Sequence, residues 1–420
     1  MRPVKVLISA IACNPYLGSE SHFGSMAVKC LARDHEVCVI TTSRDQPDME
    51  KAAAAGLVPP GVRYFYAGKY KPWHPNRMRA RIQGWFEYVD FVGDSLEVAR
   101  ELHHREKFDL VHHLTYTTAR VASPMWRLGI PFVYGPVCGN EPFPFRLFPV
   151  LSSSGVAFEL ARKLHNAYAR RSLAVRRSIQ QADHIFASTD EAEGLMATVR
   201  GSMARISLLS PAFYTAEQVA AFSRFVPEKK VDGLLRIYVA GHLSSNKCVA
   251  LAFQALALVK KSGVKFRYHL GAGGPELAHL KRLAVKLGLT DEIQFGGGLS
   301  REDYQKELGE THIFLLPSMR ETVGLTMMEA MLAGAVPVVA DNAGPRLTVT
   351  PECGYKIPVT TPAQMAAEIA GVIIAIDRDR NIITQKGRAA SQRIATHYTD
   401  ERYRQTVNAV YQSVTARHRG

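Results

Sequence analysis

Short apolar runs of strand length alternate with longer segments of helical spacing along almost the whole chain, a pattern that few architectures accommodate. In the first half the runs fall at 5–12, 36–42, 62–67, 109–114, 131–137, 184–189 and 206–211. After a polar connection at 214–232 they restart at 234–241, 265–273, 292–297, 312–318, 336–341 and 355–359. Strands alternating with helices predict parallel sheets covered on both faces, because each crossover helix packs back onto the sheet it left. A chain of 420 residues also exceeds what one hydrophobic core sustains. The prediction is therefore α/β, with two Rossmann-like doubly wound domains: an N-terminal one over 1–220 and a C-terminal one over 221–398. A final amphipathic helix at 399–418 is expected to pack back onto the first domain. Ligands of such sheets collect at the carboxyl ends of the strands, so the expected site is a cleft where two such ends face each other.

Composition narrows the function classes. An apolar fraction of 47% with 21% charged residues describes a folding chain rather than a disordered one. Six cysteines, with no C-x-x-C pair and no histidine at ligand spacing, point to a reducing compartment and no bound metal. The opening "MRPVKVLISAIACNP" has the outline of a signal peptide, but its apolar core covers only 6–13 and turn residues follow, so it reads as a first strand. No apolar run reaches the ~18 residues of a membrane span. A cytoplasmic protein is expected. The charge of +14 attracts polyanions such as nucleic acid, acidic lipid or phosphorylated substrates. Much of it sits at 77–81 ("RMRAR") and 161–177 ("ARKLHNAYARRSLAVRR"). The second stretch reads either as a helix for an anionic membrane surface at the inner face, or as the solvated side of a core helix.

The stretch "ETVGLTMMEAMLAGAVPVVA" (321–340) carries the strongest chemical signal. From Leu325 to Gly334 it reads as a helix in which Glu329 is the only ionisable residue. Glutamate is almost never buried without a partner, so Glu329 should meet donors at the wall of a cleft, and the two adjacent hydroxyls of a ribose offer them. The bland alternative is a core glutamate satisfied by backbone N–H groups or an arginine. Gly324 stands at the helix start, leaving the N–H groups of Thr322, Val323, Gly324 and Leu325 uncovered for an anion, with Glu321 beside them for a neutral, hydroxyl-rich group. Laid along one helix, that order matches a nucleotide sugar.

With its flanks, the Glu321-x7-Glu329 pattern resembles the donor-site signature of retaining family 4 glycosyltransferases of the GT-B fold. The resemblance runs over nearly the full chain, through "ISAIACNPYLGSESHFG", "HEVCVITT", "DLVHHLTYTTARVASPMWRLGIPFVYGP", "VAGHLSSNKCVALAFQALA" and "TPECGYKIPV". It implies that Glu329 binds the donor ribose, that Glu321 holds a sugar hydroxyl, and that Lys247 neutralises the diphosphate of a UDP- or GDP-sugar. His242 stands where the family usually has arginine, and a neutral imidazole supplies only part of that charge. Gly18 in "YLGSE" lets backbone approach a phosphate from the other domain, and Gly273 lies in an incomplete glycine turn, "GAGGPE", where the family lines its nucleotide pocket.

The strand ending "DLVHHL" sends His112 and His113 to opposite faces. The family places a histidine near the transferred sugar and acceptor, and His113 is the preferred candidate over His112; the alternative is one satisfied core histidine and one loop histidine. The "DRD" at 377–379 has the Asp-x-Asp form of metal-dependent transferases, but it closes an alanine- and isoleucine-rich helix, so no metal or other cofactor is expected. The resemblance further implies retention through a same-face route, with Lys247 and the 325 helix stabilising the leaving diphosphate. The acceptor is expected to be a glycan, a lipid-linked or a small molecule, met by the aromatic, basic insertions at 69–91 and 141–155. A nucleotide-sugar epimerase or hydrolase of the same fold is the competing reading. Nucleic-acid binding would explain the charge, but no aromatic RNA-binding motif or zinc finger accompanies it.

Overall fold

The computed structural model describes residues 2–69, 77–116, 118–139, 141–227, 229–271 and 273–418, with side chains from 86 onward in the helix that begins at 77. Most of the 69–91 insertion, and the side chains of 77–81, lie outside the described residues. The chain divides into two compact units, one made of Met1–Asn140, His165–Pro211 and Asp400–Gly420, the other of Glu141–Leu164 and Ala212–Thr399.

The first unit holds β1 (Lys5–Ser9), β2 (Glu36–Thr42), β3 (Arg63–Ala67), β4 (Leu110–His113), β5 (Phe132–Val137), β6 (His184–Ala187) and β7 (Ile206–Leu208), in the order β3-β2-β1-β4-β5-β6-β7. The second holds β8 (Leu235–Ala240), β9 (Phe266–Gly271), β10 (Ile293–Phe295), β11 (Ile313–Leu316), β12 (Val336–Ala340) and β13 (Tyr355–Ile357), in the order β10-β9-β8-β11-β12-β13. Every pairing is parallel. Parallel strands are covered on both faces, which is why β4, β5, β11 and β12 are buried at every position, and β11 and β12 read as unbroken apolar runs. Several strands stop short of the run that announced them. Residues 11–12 and 317–318 have already left the ladder, and they open the loops that follow β1 and β11.

Each sheet reverses its direction of winding once, between β1 and β4 in the first unit and between β8 and β11 in the second. The helix Asp400–Arg417 belongs to the first unit, where the Tyr411 hydroxyl meets His112 Nδ1 at 2.6 Å and Arg404 reaches both oxygens of Asp34 at 2.7 and 2.6 Å. Residues 141–164 sit with the second unit, although a division at 220 assigned them to the first domain. The reason is polar as well as apolar: Ser152 donates to Glu276 at 2.7 Å and Glu159 binds Arg320, while Leu147 and Val150 join the second core.

Candidate functional site

The second sheet's switch point is built by the residues that follow β8 and β11. After β8 the chain runs through Gly241 and His242 into a single 3-10 turn, Ser245–Lys247. After β11 it runs through Ser318 and Arg320 to Gly324, which stands in the left-handed region (φ 77°) and turns the backbone into the helix Leu325–Leu332. A side chain there would be strained, so glycine is the residue that permits this entry. Asn246 stitches the two loops together. Its amide donates to the Arg320 carbonyl at 2.9 Å, and its own carbonyl accepts from Met319 N at 2.8 Å and Ser318 Oγ at 2.9 Å.

This stitching brings Lys247 and Glu321 into a half-buried ion pair. Immediately beyond Glu321, the backbone N–H groups of Thr322, Val323, Gly324 and Leu325 make no hydrogen bond to protein among the described residues. The segment is pressed against Gly344, whose N–H donates to the Glu321 carbonyl at 2.9 Å; a Cβ at 344 would lie 2.0 Å from the Thr322 carbonyl oxygen. Unpartnered amides at the amino end of a helix, beside an ammonium group, form an anion site.

One turn along the same helix stands Glu329. The helix buries Met327, Met328, Ala330, Met331 and Leu332, yet the glutamate itself keeps partial exposure. The hydroxyl of Tyr304, on the helix Arg301–Glu310, donates to Glu329 Oε2 at 2.6 Å. Crowding by protein raises the pKa of Glu329 above the ordinary carboxylate range, against the pull of that hydrogen bond. The residue is neither a solvated surface group nor a fully satisfied core one. Tyr304 has no sequence signal of this role, because a tyrosine in "REDYQKELGE" carries no local sign of its distant partner.

His242 is exposed, and its carbonyl accepts from Ser244 N at 2.9 Å. Gly273 accepts from Leu243 N at 3.0 Å and has open space beside its Cα, so the "GAGGPE" turn lies against the loop that leads to Lys247. In the first unit, Gly18 also faces open space, in the loop between β1 and the helix Glu20–Leu31. His112 is fully buried and satisfied at both nitrogens, by Tyr411 and by the Gly135 carbonyl at 2.7 Å; it is a structural histidine. His113 is 1% exposed, with Nδ1 3.0 Å from Ser123 Oγ and Nε2 without a hydrogen-bond partner among the described residues. Burial pulls the pKa of His113 down to about 4, so the ring is neutral at physiological pH. The "DRD" stretch is a helix end, with Arg378 closing Pro362–Arg378. Among the described residues, no group of three or more His, Cys, Asp or Glu is placed to hold a metal ion, and no helix is long and apolar enough to cross a membrane.

Two family models between them cover most of the chain: a glycosyl transferase 4-like domain over 18–212 and glycosyl transferases group 1 over 221–389. The chain is a family 4-like glycosyltransferase. Among its relatives, the uncharacterized glycosyltransferase YqgM of Bacillus subtilis is 25% identical over 276 residues, 63% of this chain and 68% of that one. The putative colanic acid biosynthesis glycosyltransferase WcaL of Salmonella typhimurium is 27% identical over 196 residues, covering 44% of this chain and 47% of its own length. The match thus spans about half of WcaL. Among solved structures, Anabaena Alr3699/HepE in complex with UDP and glucose superposes with a TM-score of 0.61 at 16% identity, over 98% of this chain and 100% of that one. Likeness at that identity speaks for the fold, which is GT-B.

Proposed function

We propose that this glycosyltransferase moves a sugar from a UDP- or GDP-sugar to an acceptor hydroxyl with retention of configuration, by a same-face route that uses no metal. The observation that carries the reading is the order of groups along one segment: Lys247 against Glu321, four unpartnered amides at 322–325, and Glu329 one turn further on. Lys247 and the amides take the diphosphate, Glu329 the ribose diol, and Glu321 a hydroxyl of the transferred sugar. Gly273 and His242 border the nucleotide from the neighbouring loops. Within the first unit we assign Gly18 to a phosphate, and Nε2 of His113, which has no hydrogen-bond partner among the described residues, to a sugar or acceptor hydroxyl. HepE, solved with UDP and glucose, supports a nucleotide-sugar donor.

In the reaction the diphosphate oxygen leaves the anomeric carbon, the acceptor oxygen bonds to that carbon from the same face, and the departing oxygen takes the acceptor's proton. Negative charge grows on the leaving group, against the Lys247 ammonium and the fixed amide dipoles, which need no reorganisation. Lys247→Ala should therefore lower turnover about 100-fold, and lower it more than donor affinity. Screening UDP- and GDP-sugars for thermal stabilisation identifies the donor, because a ligand that binds only the folded form raises the melting temperature. No stabilisation by any member of such a panel would refute the reading. Added EDTA should leave transfer unchanged.

For the acceptor we propose a glycan, a lipid-linked or a small molecule, the first in keeping with WcaL, a putative colanic acid biosynthesis glycosyltransferase. Leu160, Leu164 and Tyr168 recur at four-residue spacing on the helix Ser153–Arg171, with exposures of 44, 74 and 76%, beside Lys163, Arg170 and Arg171. An exposed apolar stripe bordered by cations fits the anionic face of a membrane. Sedimentation with vesicles containing phosphatidylglycerol, but not with neutral vesicles, is the expected result, and Leu164→Glu with Tyr168→Glu should abolish it.

A further inference from the structure

Glu159 is a buried carboxylate, 4% exposed, that none of the site chemistry above uses. It belongs to the segment between β5 and β6 that sits with the second unit. Both its oxygens are engaged. Arg320 binds it in a fork, Nη1 to Oε2 at 2.7 Å and Nη2 to Oε1 at 2.8 Å, and Ser245 Oγ donates to Oε1 at 3.2 Å. Ser245 lies two residues before Lys247, and Arg320 immediately precedes Glu321. One carboxylate therefore grips both loops of the switch point, each beside a residue of the Lys247–Glu321 pair.

Stability alone does not account for such a group. A buried ion pair loses hydration that its attraction only about restores, and well-packed apolar residues of similar volume often serve as well or better. What an apolar pair cannot supply is direction: the fork fixes the Arg320 guanidinium in one plane, and Ser245 fixes the turn that aims Lys247. Without Glu159, Arg320 is also released beside Glu321, the carboxylate that holds Lys247. We propose that Glu159 is a positioning residue that sets Lys247 on the donor diphosphate by tying the loop after β8 to the loop after β11. The proposal rests on the donor-site reading above.

The test uses the full chain and binding calorimetry with UDP against UMP and GDP against GMP, so that the preference for a diphosphate reads the Lys247 contact directly. Replacing both partners, Glu159→Met with Arg320→Met, leaves no unpaired buried charge and should keep the melting temperature within a few degrees. Its preference for the diphosphate should fall about tenfold, the size of one charge-assisted contact, while monophosphate affinity stays within about twofold. Glu159→Gln, which still accepts from Ser245, should retain more of the preference than the double variant. A folded double variant with the wild-type preference would overturn the proposal, and so would an equal loss for mono- and diphosphate. Lys247→Ala separates the two levels. If it keeps the preference, or if the wild type has none, the donor-site reading itself fails; if it loses the preference and the double variant does not, only the role of Glu159 fails.

Discussion

At the scale of single residues, Glu329 sits under two opposed demands. Crowding raises its pKa, so its charged form costs the unliganded protein stability, while a ribose diol needs that charged form as acceptor. For a carboxylate raised in the folded state, the stabilising contribution is complete below the ordinary glutamate value and is lost as pH rises through the folded value. Glu329→Gln removes that loss. Its melting temperature at neutral pH should equal or exceed the wild type's, while affinity for UDP or GDP falls about tenfold or more. Parallel melting curves and nucleotide titrations check both halves, and unchanged nucleotide affinity would exclude the ribose contact. Tyr304→Phe tests the supporting hydroxyl. Removing a hydrogen bond that favours the carboxylate raises the pKa of Glu329 further, so nucleotide affinity should rise with pH more steeply, and from a higher midpoint, than in the wild type.

At the scale of elements, the entry into the helix Leu325–Leu332 is held by backbone contact rather than by side chains. Gly344→Ala places a methyl 2.0 Å from the Thr322 carbonyl, so segment 321–324 must move. A structural loss of about 1–3 kcal/mol is expected, with a larger loss of diphosphate affinity because the amides are displaced. Equal melting and binding in the variant would show that this contact is idle. The contrast with Glu159 marks what the sequence could yield. The strands were legible because burial on both faces demands consecutive apolar residues, and the 325 helix because a glycine, one carboxylate and a second glycine punctuate an apolar segment. Tyr304, Glu159 and Gly344 act on partners 25, 161 and 22 residues away, and nothing in their neighbours signals this. The same limit explains residues 141–164. Their attachment to the second sheet depends on Arg320 and Glu276, so periodicity could locate the elements there but not their allegiance.

At the scale of the molecule, the histidines are unevenly shared between the units, and this predicts which one acid dismantles first. In the first unit burial lowers the pKa of His112 to about 3 and of His113 and His184 to about 4, and lowers that of His35 as well. For a histidine depressed in the folded state, the stabilising contribution is present above the unfolded value near 6.5 and is lost as pH falls towards the folded one. Even discounted by half, the first three shifts amount to about 6 kcal/mol, the size of an ordinary domain's whole stability. In the second unit burial lowers His312 to about 4, and Lys229, whose ammonium caps the Leu308, Gly309 and Thr311 carbonyls, to about 7. The lysine's loss falls between its unfolded value of 10.5 and about 7, so further acidification takes nothing more from it, and raised Glu329 gains on protonation. All the tryptophans, at 73, 85 and 126, fall within the first 140 residues of the sequence, and Trp126 packs against the core of the first unit. Lowering the pH from 7 to 4 should therefore shift tryptophan fluorescence before the bulk of the helical circular dichroism is lost. Coincident transitions would mean that the two units unfold together. Truncation after Thr399 removes Tyr411 from His112 and Arg404 from Asp34, and should move the fluorescence transition to higher pH while leaving the later circular dichroism step in place.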